Sequence, residues 1–336
     1  MQKRSTILLG LIITGILAIA GCGKGKSQEV VVYTAVDEVF SEKIINEFEE
    51  ETGIKVNVVY DTEANKTTGL VNRIIAEKDN PVCDVFWNNE FIQTIKLEEE
   101  GVLQPYKSPS AEDIPDYYKA SDNCWTAFGG RARVLLVNND LLAKENFPTS
   151  VMDFVSGQYP GDQLAIAYPM FGTTKTMAAA FYAQWGPEKG KEYFQTVVDL
   201  GVNVVDGNSV TKDMAANGQV AIGFTDSDDA REAIEDGANV TMVYPDQGED
   251  QMGTLLTPST VAMIKGAPNE DNAKLFIDFV LRESTERELV DDGFFDVSIR
   301  DAGKDGIKGM TISLEKIYEF MDESAKDMEE LFSVAH

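Results

Sequence analysis

The chain has 336 residues, and 57 Asp and Glu against 29 Lys and Arg leave a formal charge of −28 at pH 7. Nucleic-acid phosphates would be repelled by such an acid excess, so nucleic acid is excluded as a partner, while the fold is left open. The single histidine, His336 at the last position, practically excludes imidazole catalysis and His-ligated zinc, and neither a Ser-His-Asp nor a Cys-His engine can be assembled.

In chain order, Lys3-Arg4 precede an uncharged run from Ile7 to Ala20 that ends in Ile19-Ala20-Gly21-Cys22. A basic start, an apolar stretch and small residues before a cleavage point are the layout of an export signal. Cysteine directly after Ala-Gly resembles a bacterial lipoprotein signal, so Cys22 is expected to be acylated as the mature N-terminus. The apolar run is shorter than the roughly 20 residues that a membrane-spanning helix needs. Residues 1–21 then read as signal and 22–28 as a flexible tether, holding the protein outside the cytoplasm on a membrane.

Past the tether, short apolar runs alternate with amphipathic segments. Val30–Tyr33 predicts a strand, and Phe40, Ile44 and Phe48 mark one face of the helix after it. Val56–Tyr60 is a second strand, Thr62 a candidate cap for a helix carrying Leu70, Val71, Ile74 and Ile75, and Val82–Trp87 a third strand. Strands this apolar, separated by helices, imply a mainly parallel sheet covered on both faces. After Gly129-Gly130 the pattern restarts, with strands at Val134–Val137, Leu164–Ala167, Val202–Val205, Val220–Phe224, Val240–Tyr244 and Thr260–Ile264. A helix with Phe276, Ile277, Val280 and Leu281, then one with Ile317, Phe320 and Met321, close the chain. The organisation expected is two α/β lobes: residues 29–130 begin lobe 1, 131–245 form lobe 2, and 246–336 return to lobe 1 and add C-terminal helices. Loops near Gly129–Arg133 and Tyr244–Thr257 are the expected crossings.

Of the three cysteines, Cys83 and Cys124 remain once Cys22 is assigned to lipid. In an exported protein they can pair; equally, Cys83 sits in the apolar run Val82–Phe86, as a buried thiol would.

Several segments, in order, resemble ABC-transporter solute-binding proteins of the ferric-iron and phosphonate group. They are Val31 to Glu38, Phe48 to Val56 (with Glu51-Thr52-Gly53-Ile54-Lys55-Val56 at its centre), Asp84-Val85-Phe86-Trp87 followed by Leu97 to Leu103, Gly130 to Asn138, and Phe171-Gly172-Thr173-Thr174. The similarity runs from about residue 29 to residue 285. It implies a type II periplasmic-binding-protein fold, a two-lobed "Venus flytrap" with two interlobe crossover strands, closing by hinge motion on a solute between the lobes. It also implies an ABC permease and its ATPase as partners, with the protein itself a monomer.

Ligands of α/β sheets sit at the carboxyl ends of the strands, which selects the loop from Thr34 to Asp37 and the loop Asn88-Asn89-Glu90. In the second lobe, Gly172 to Thr176 precedes a helix, and its amides, the hydroxyls of Thr173 and Thr174, and Lys175 form a candidate anion cradle. Asn208 is a second polar corner, and Arg131 and Arg133 offer guanidinium groups. The resemblance places ferric ligands (a histidine, a glutamate and two tyrosines) at Asp37, Asn89 and Asp228-Asp229, so the phenolates are missing. Asp226, Asp228 and Asp229 serve as carboxylate ligands or as a cap for the helix through Ala230 to Ile234. The expected cargo is a small polar solute bearing phosphonate or phosphate; the alternative is ferric iron or another metal cation on carboxylates. No enzyme activity and no cofactor are expected, since paired carboxylates such as Asp228 and Asp229 have only the general acidity behind them.

Overall fold

A computed structural model describes residues 28–61, 68–301 and 306–333. The signal, Cys22, most of the tether, Thr62 and His336 lie outside the described residues.

The first lobe grows from β1 (Glu29–Thr34), which runs parallel to β2 (Lys55–Tyr60) on one side and to β3 (Val85–Asn88) on the other. Every residue of β3 is buried, as expected of a strand covered on both faces. α1 (Glu38–Thr52) links the first two strands and ends at Gly53, whose φ of 68° only glycine adopts freely; its N–H donates to Glu49 O at 2.9 Å. Phe48 on the inner face of α1 meets Phe276 and Phe279 of α9 (Glu270–Val280) edge-on, at ring separations of 5.1 and 5.5 Å. Such pairs contribute about 0.5–1.5 kcal/mol beyond the area they bury. α2 (Thr68–Ala76), α3 (Ile92–Glu99) and α10 (Glu283–Asp291) complete this lobe, with β4 (Leu103–Gln104) added beside β10 (Leu256–Ile264).

β5 (Trp125–Asn138) joins the lobes. Its first half pairs antiparallel with β10, and its second half pairs antiparallel with β8 (Ile222–Asp226) and β9 (Val240–Val243). Beyond β8 lie β6 (Leu164–Ala167) and β7 (Asn203–Val205), both parallel neighbours in the order β2-β1-β3-β10-β5-β8-β6-β7. The helices of this lobe are α4 (Val151–Phe154), α5 (Gly172–Trp185), α6 (Pro187–Asp199), α7 (Asn208–Ala216) and α8 (Ser227–Glu235). The Gly129–Arg133 crossing is therefore strand rather than loop. Gly129 takes φ 54° and donates its N–H to the buried Glu286 Oε1 at 2.7 Å, while Gly130 N–H donates to Val297 O at 3.0 Å. Glu286 also accepts from Arg300 Nε at 2.6 Å and Ile299 N–H at 2.8 Å, which locks the returning chain against the crossing. A Cβ at position 129 would overlap the Phe295 ring.

The last predicted helix is two. α11 (Leu314–Glu319) stops at Phe320, and α12 (Met321–Ser333) starts at once. α11 touches α3 of the first lobe and α5 of the second, whereas α12 packs on α5 and α6. Cys83 and Cys124 are both buried free thiols. Among the described residues, no helix is long and apolar enough to cross a membrane.

Candidate ligand-binding cleft

The second lobe's parallel strands deliver three helix N-termini, those of α5, α7 and α8, to one edge of the sheet. Asp226, the residue before α8, does not cap that helix with its side chain. Its carboxylate turns instead to Arg133 of β5, whose Nη1 donates to Oδ1 at 2.7 Å. The other oxygen accepts from Thr173 Oγ1 at 2.6 Å and Asn208 Nδ2 at 2.8 Å. Arg133 Nη1 also reaches Asn208 Oδ1 at 2.9 Å and Thr173 Oγ1 at 3.2 Å, and its side chain is 1% exposed. Thr174 Oγ1 closes the network by donating to Asn208 Oδ1 at 3.3 Å. Arg133 and Asp226 thus form a buried, charge-compensated pair that half-buried Asn208 ties to Thr173 and Thr174, consistent with the high cost of burying either charge alone.

A second arginine bridges the lobes. Arg131 Nη1 donates to Asp228 Oδ2 on α8 at 3.0 Å, and Nη2 reaches Asn89 O, in the loop after β3, at 3.5 Å. Asp228 Oδ1, Asn89 Oδ1 and Gln93 Oε1 are buried without a hydrogen-bond partner. Buried polar atoms are almost always satisfied, so these three oxygens each keep capacity for a donor or cation, as Arg133 Nε, also unpartnered, does for an acceptor. Carboxylate oxygens of Asp226, Asp228 and Asp229 all lie within 4.8 Å of one another. Burial, then the charges of Asp228 and Asp226, push the Asp229 carboxyl up to about 6.

The cavity between the lobes measures about 320 Å³. Its polar lining includes Asn89, Glu90, Gln93, Arg131, Thr173 and Lys175. Glu90 accepts from the N–H groups of Ile92 at 2.6 Å and Gln93 at 2.9 Å, holding the first turn of α3, and burial raises its carboxyl above the usual range. Lys175, half-buried in the first turn of α5, pairs with no carboxylate among the described residues.

Sequence reasoning selected Asn89, Arg131, Thr173 and Lys175, and the structure brings these four to the cavity. Arg133, Asn208 and Asp226 are joined to them through Thr173, and Thr174 through Asn208, while Asp228 connects through Arg131 and Asp229 sits next to Asp228. Thr34 and Asp37 do not line this cavity: buried Thr34 accepts from Val36 N–H at 3.0 Å, and exposed Asp37 opens α1. Glu90 belongs to the loop after β3 that the sequence singled out, and it too lines the cavity; Gln93, in the first turn of α3, was missed, and Thr257 and Met321, which also line the cavity, had no signal.

Two α/β lobes sharing crossover strands around a polar cleft are the fold of the type II periplasmic-binding proteins. The chain belongs to the bacterial extracellular solute-binding protein family, whose model matches residues 43–301. It is 24% identical over 305 residues to iron uptake protein A1 of Synechocystis sp., covering 84% of this chain and 82% of that one. A Salmonella typhimurium periplasmic protein named for 2-aminoethylphosphonate binding is 23% identical over 225 residues, covering 66% of this chain and 64% of its own. Among solved structures, the Trichodesmium IdiA (FutA) protein in complex with iron and citrate ligands superposes with a TM-score of 0.79 at 18% identity, over 90% of this chain and 99% of that one.

Proposed function

We propose that this chain is the lipid-anchored, extracytoplasmic solute-binding component of an ABC importer, delivering a hard cation together with a small oxyanion to its permease. Family membership supports the transport role, and the export-type leader ending at Cys22 supports the anchor. The cargo reading rests on one observation above others: Asn89 and Gln93, whose side-chain oxygens are buried without a partner, line the same cavity as Lys175. Amide and carboxylate oxygens, with Asp228 and Asp229 close by, suit a hard cation. The N-terminus of α5 with Lys175 suits the anion that travels with it. The iron-related relatives favour this cargo over a phosphonate.

With carboxylates at the positions where the resemblance puts tyrosines, a ferric complex here is expected to be colourless. Native mass spectrometry and metal analysis of freshly purified protein, followed by calorimetry with ferric citrate, test the reading. A bound metal with one-to-one heat supports it. Metal-free protein that gives no heat with ferric citrate sinks it. A second reading keeps the oxyanion and replaces the metal with an ammonium group, as in an aminoalkylphosphonate; the missing phenolates and the Salmonella relative favour it. Binding of 2-aminoethylphosphonate without metal is its signature.

A further inference from the structure

The cleft is not polar all round. Phe91 and Ile92 line it from the first lobe, and Met321 lines it from the C-terminal segment. That segment lies past the stretch matched by the family model, which ends at residue 301, and it touches both lobes. On the first-lobe side, Tyr318 Oη donates to Glu99 Oε2 at 3.0 Å, and Glu315 Oε1 accepts from Ser121 N–H at 2.9 Å. On the second-lobe side, Asp327 of α12 accepts from Tyr182 Oη at 2.9 Å and Lys191 Nζ at 2.8 Å. Between these two anchors the helix breaks at Phe320, and the break sets Met321 in the cavity with 9% exposure.

A cavity of about 320 Å³ is at the lower end of the ~300–1,000 Å³ range that holds organic ligands, and a metal ion with an inorganic anion would leave much of it unfilled. We propose that Met321 is a specificity-determining residue, whose thioether side chain, with Phe91 and Ile92, packs on the carbon body of an organic oxyanion. The class of cargo component it selects is an oxyanion bearing a short apolar chain, either alone or as the chelator of a cation. This inference rests on the oxyanion half of the reading above. Methionine suits the task because its unbranched, polarisable side chain adapts to irregular apolar surfaces.

The test compares two probes with the same head group, inorganic phosphate and n-butylphosphonate, by calorimetry on the full chain. Wild-type protein is expected to bind butylphosphonate at least about ten-fold more tightly, as one or more methylenes in an apolar pocket allow. Met321→Ala should remove most of that preference and leave phosphate affinity unchanged, and Met321→Leu should restore it. Melts of the ligand-free variants show whether α12 has stayed docked; should Met321→Ala unfold it, Met321→Gln carries the same comparison. Equal affinity of wild type for both probes, or an equal loss for both in the variant, overturns the inference and leaves the oxyanion site standing. If neither probe binds wild type, the oxyanion reading fails and this inference goes with it.

Discussion

Arg133 Nη1 lies 2.7 Å from Asp226 Oδ1, an ion pair with side chains 1% and 12% exposed that ties the crossover strand β5 to the end of β8. Removing one member leaves the other as an uncompensated charge, at a cost of about 3–5 kcal/mol. Arg133→Met or Asp226→Leu alone is therefore expected to lower the thermal midpoint sharply. Arg133→Met combined with Asp226→Leu should recover a large part of the loss, because no charge is then stranded. Urea unfolding of both single variants and the double variant gives the coupling term directly. Additive losses would show that the pair has no mutual dependence.

The cradle divides into two kinds of residue. Thr173 Oγ1 donates to Asp226 and accepts from Arg133 and Asn208, so Thr173→Ala should cost about 1–3 kcal/mol of stability in the ligand-free protein. Lys175 belongs to no such network among the described residues, so Lys175→Ala should leave the melt unchanged. Its effect should fall on oxyanion affinity, which drops about ten-fold or more with the loss of one charged hydrogen bond. Melts paired with calorimetry separate the two, and a stable Lys175→Ala protein with undiminished oxyanion affinity would place the anion elsewhere.

A pH effect arises away from the cleft. Burial, followed by the charges of Asp122 and Glu315, pushes the Glu98 carboxyl up to about 7, despite the 2.7 Å hydrogen bond donated by Trp125 Nε1. A carboxyl raised in the folded state binds its proton more tightly there than in the unfolded chain. Its contribution to stability thus falls as pH rises from about 4.5 to about 7 and is level above that. Glu98→Gln should flatten this part of the stability curve while keeping the indole acceptor. Thermal midpoints at half-unit steps between pH 4 and 8 are the measurement, and an unchanged slope in the variant would remove Glu98 as its source.

At the crossing, Gly129→Ala faces two penalties, a φ of 54° and overlap with the Phe295 ring. Together they should cost at least about 2 kcal/mol. Chemical denaturation of the variant checks the figure. A loss below about 0.5 kcal/mol, the usual range for a neutral surface change, would mean that this turn of the strand relaxes freely.

Strand runs such as Leu164–Ala167 were legible because four consecutive apolar residues buried on both faces carry their own signal. The long crossover was not. Gly129-Gly130 read as a break, yet the backbone there keeps its partners, Glu286 and Val297 supplying what the side chains lack. Asn89 and Lys175 could be picked out because strand ends and helix starts are local patterns. Met321 could not, because it reaches the cleft only through the docking of α12 on α5 and α6, a contact made across more than a hundred residues of sequence. Arg133 was named as a ligand group, but its neutralisation by Asp226 is a pairing between strands, which spacing alone does not show.

Burial raises both thiols out of the reactive range, Cys83 well above its usual value and Cys124 up to about 12, where the Asp122 carboxylate adds to the effect. A protein from which Cys22 is omitted would therefore carry no accessible thiolate of its own in the described residues. One cysteine placed at Phe171, which is 71% exposed at the start of α5, would then take a maleimide dye selectively. Such a dye would sit one residue before Gly172 and two before Thr173, both of which line the cavity, so the buried state of the native thiols leaves the cleft open to a single, site-specific optical label.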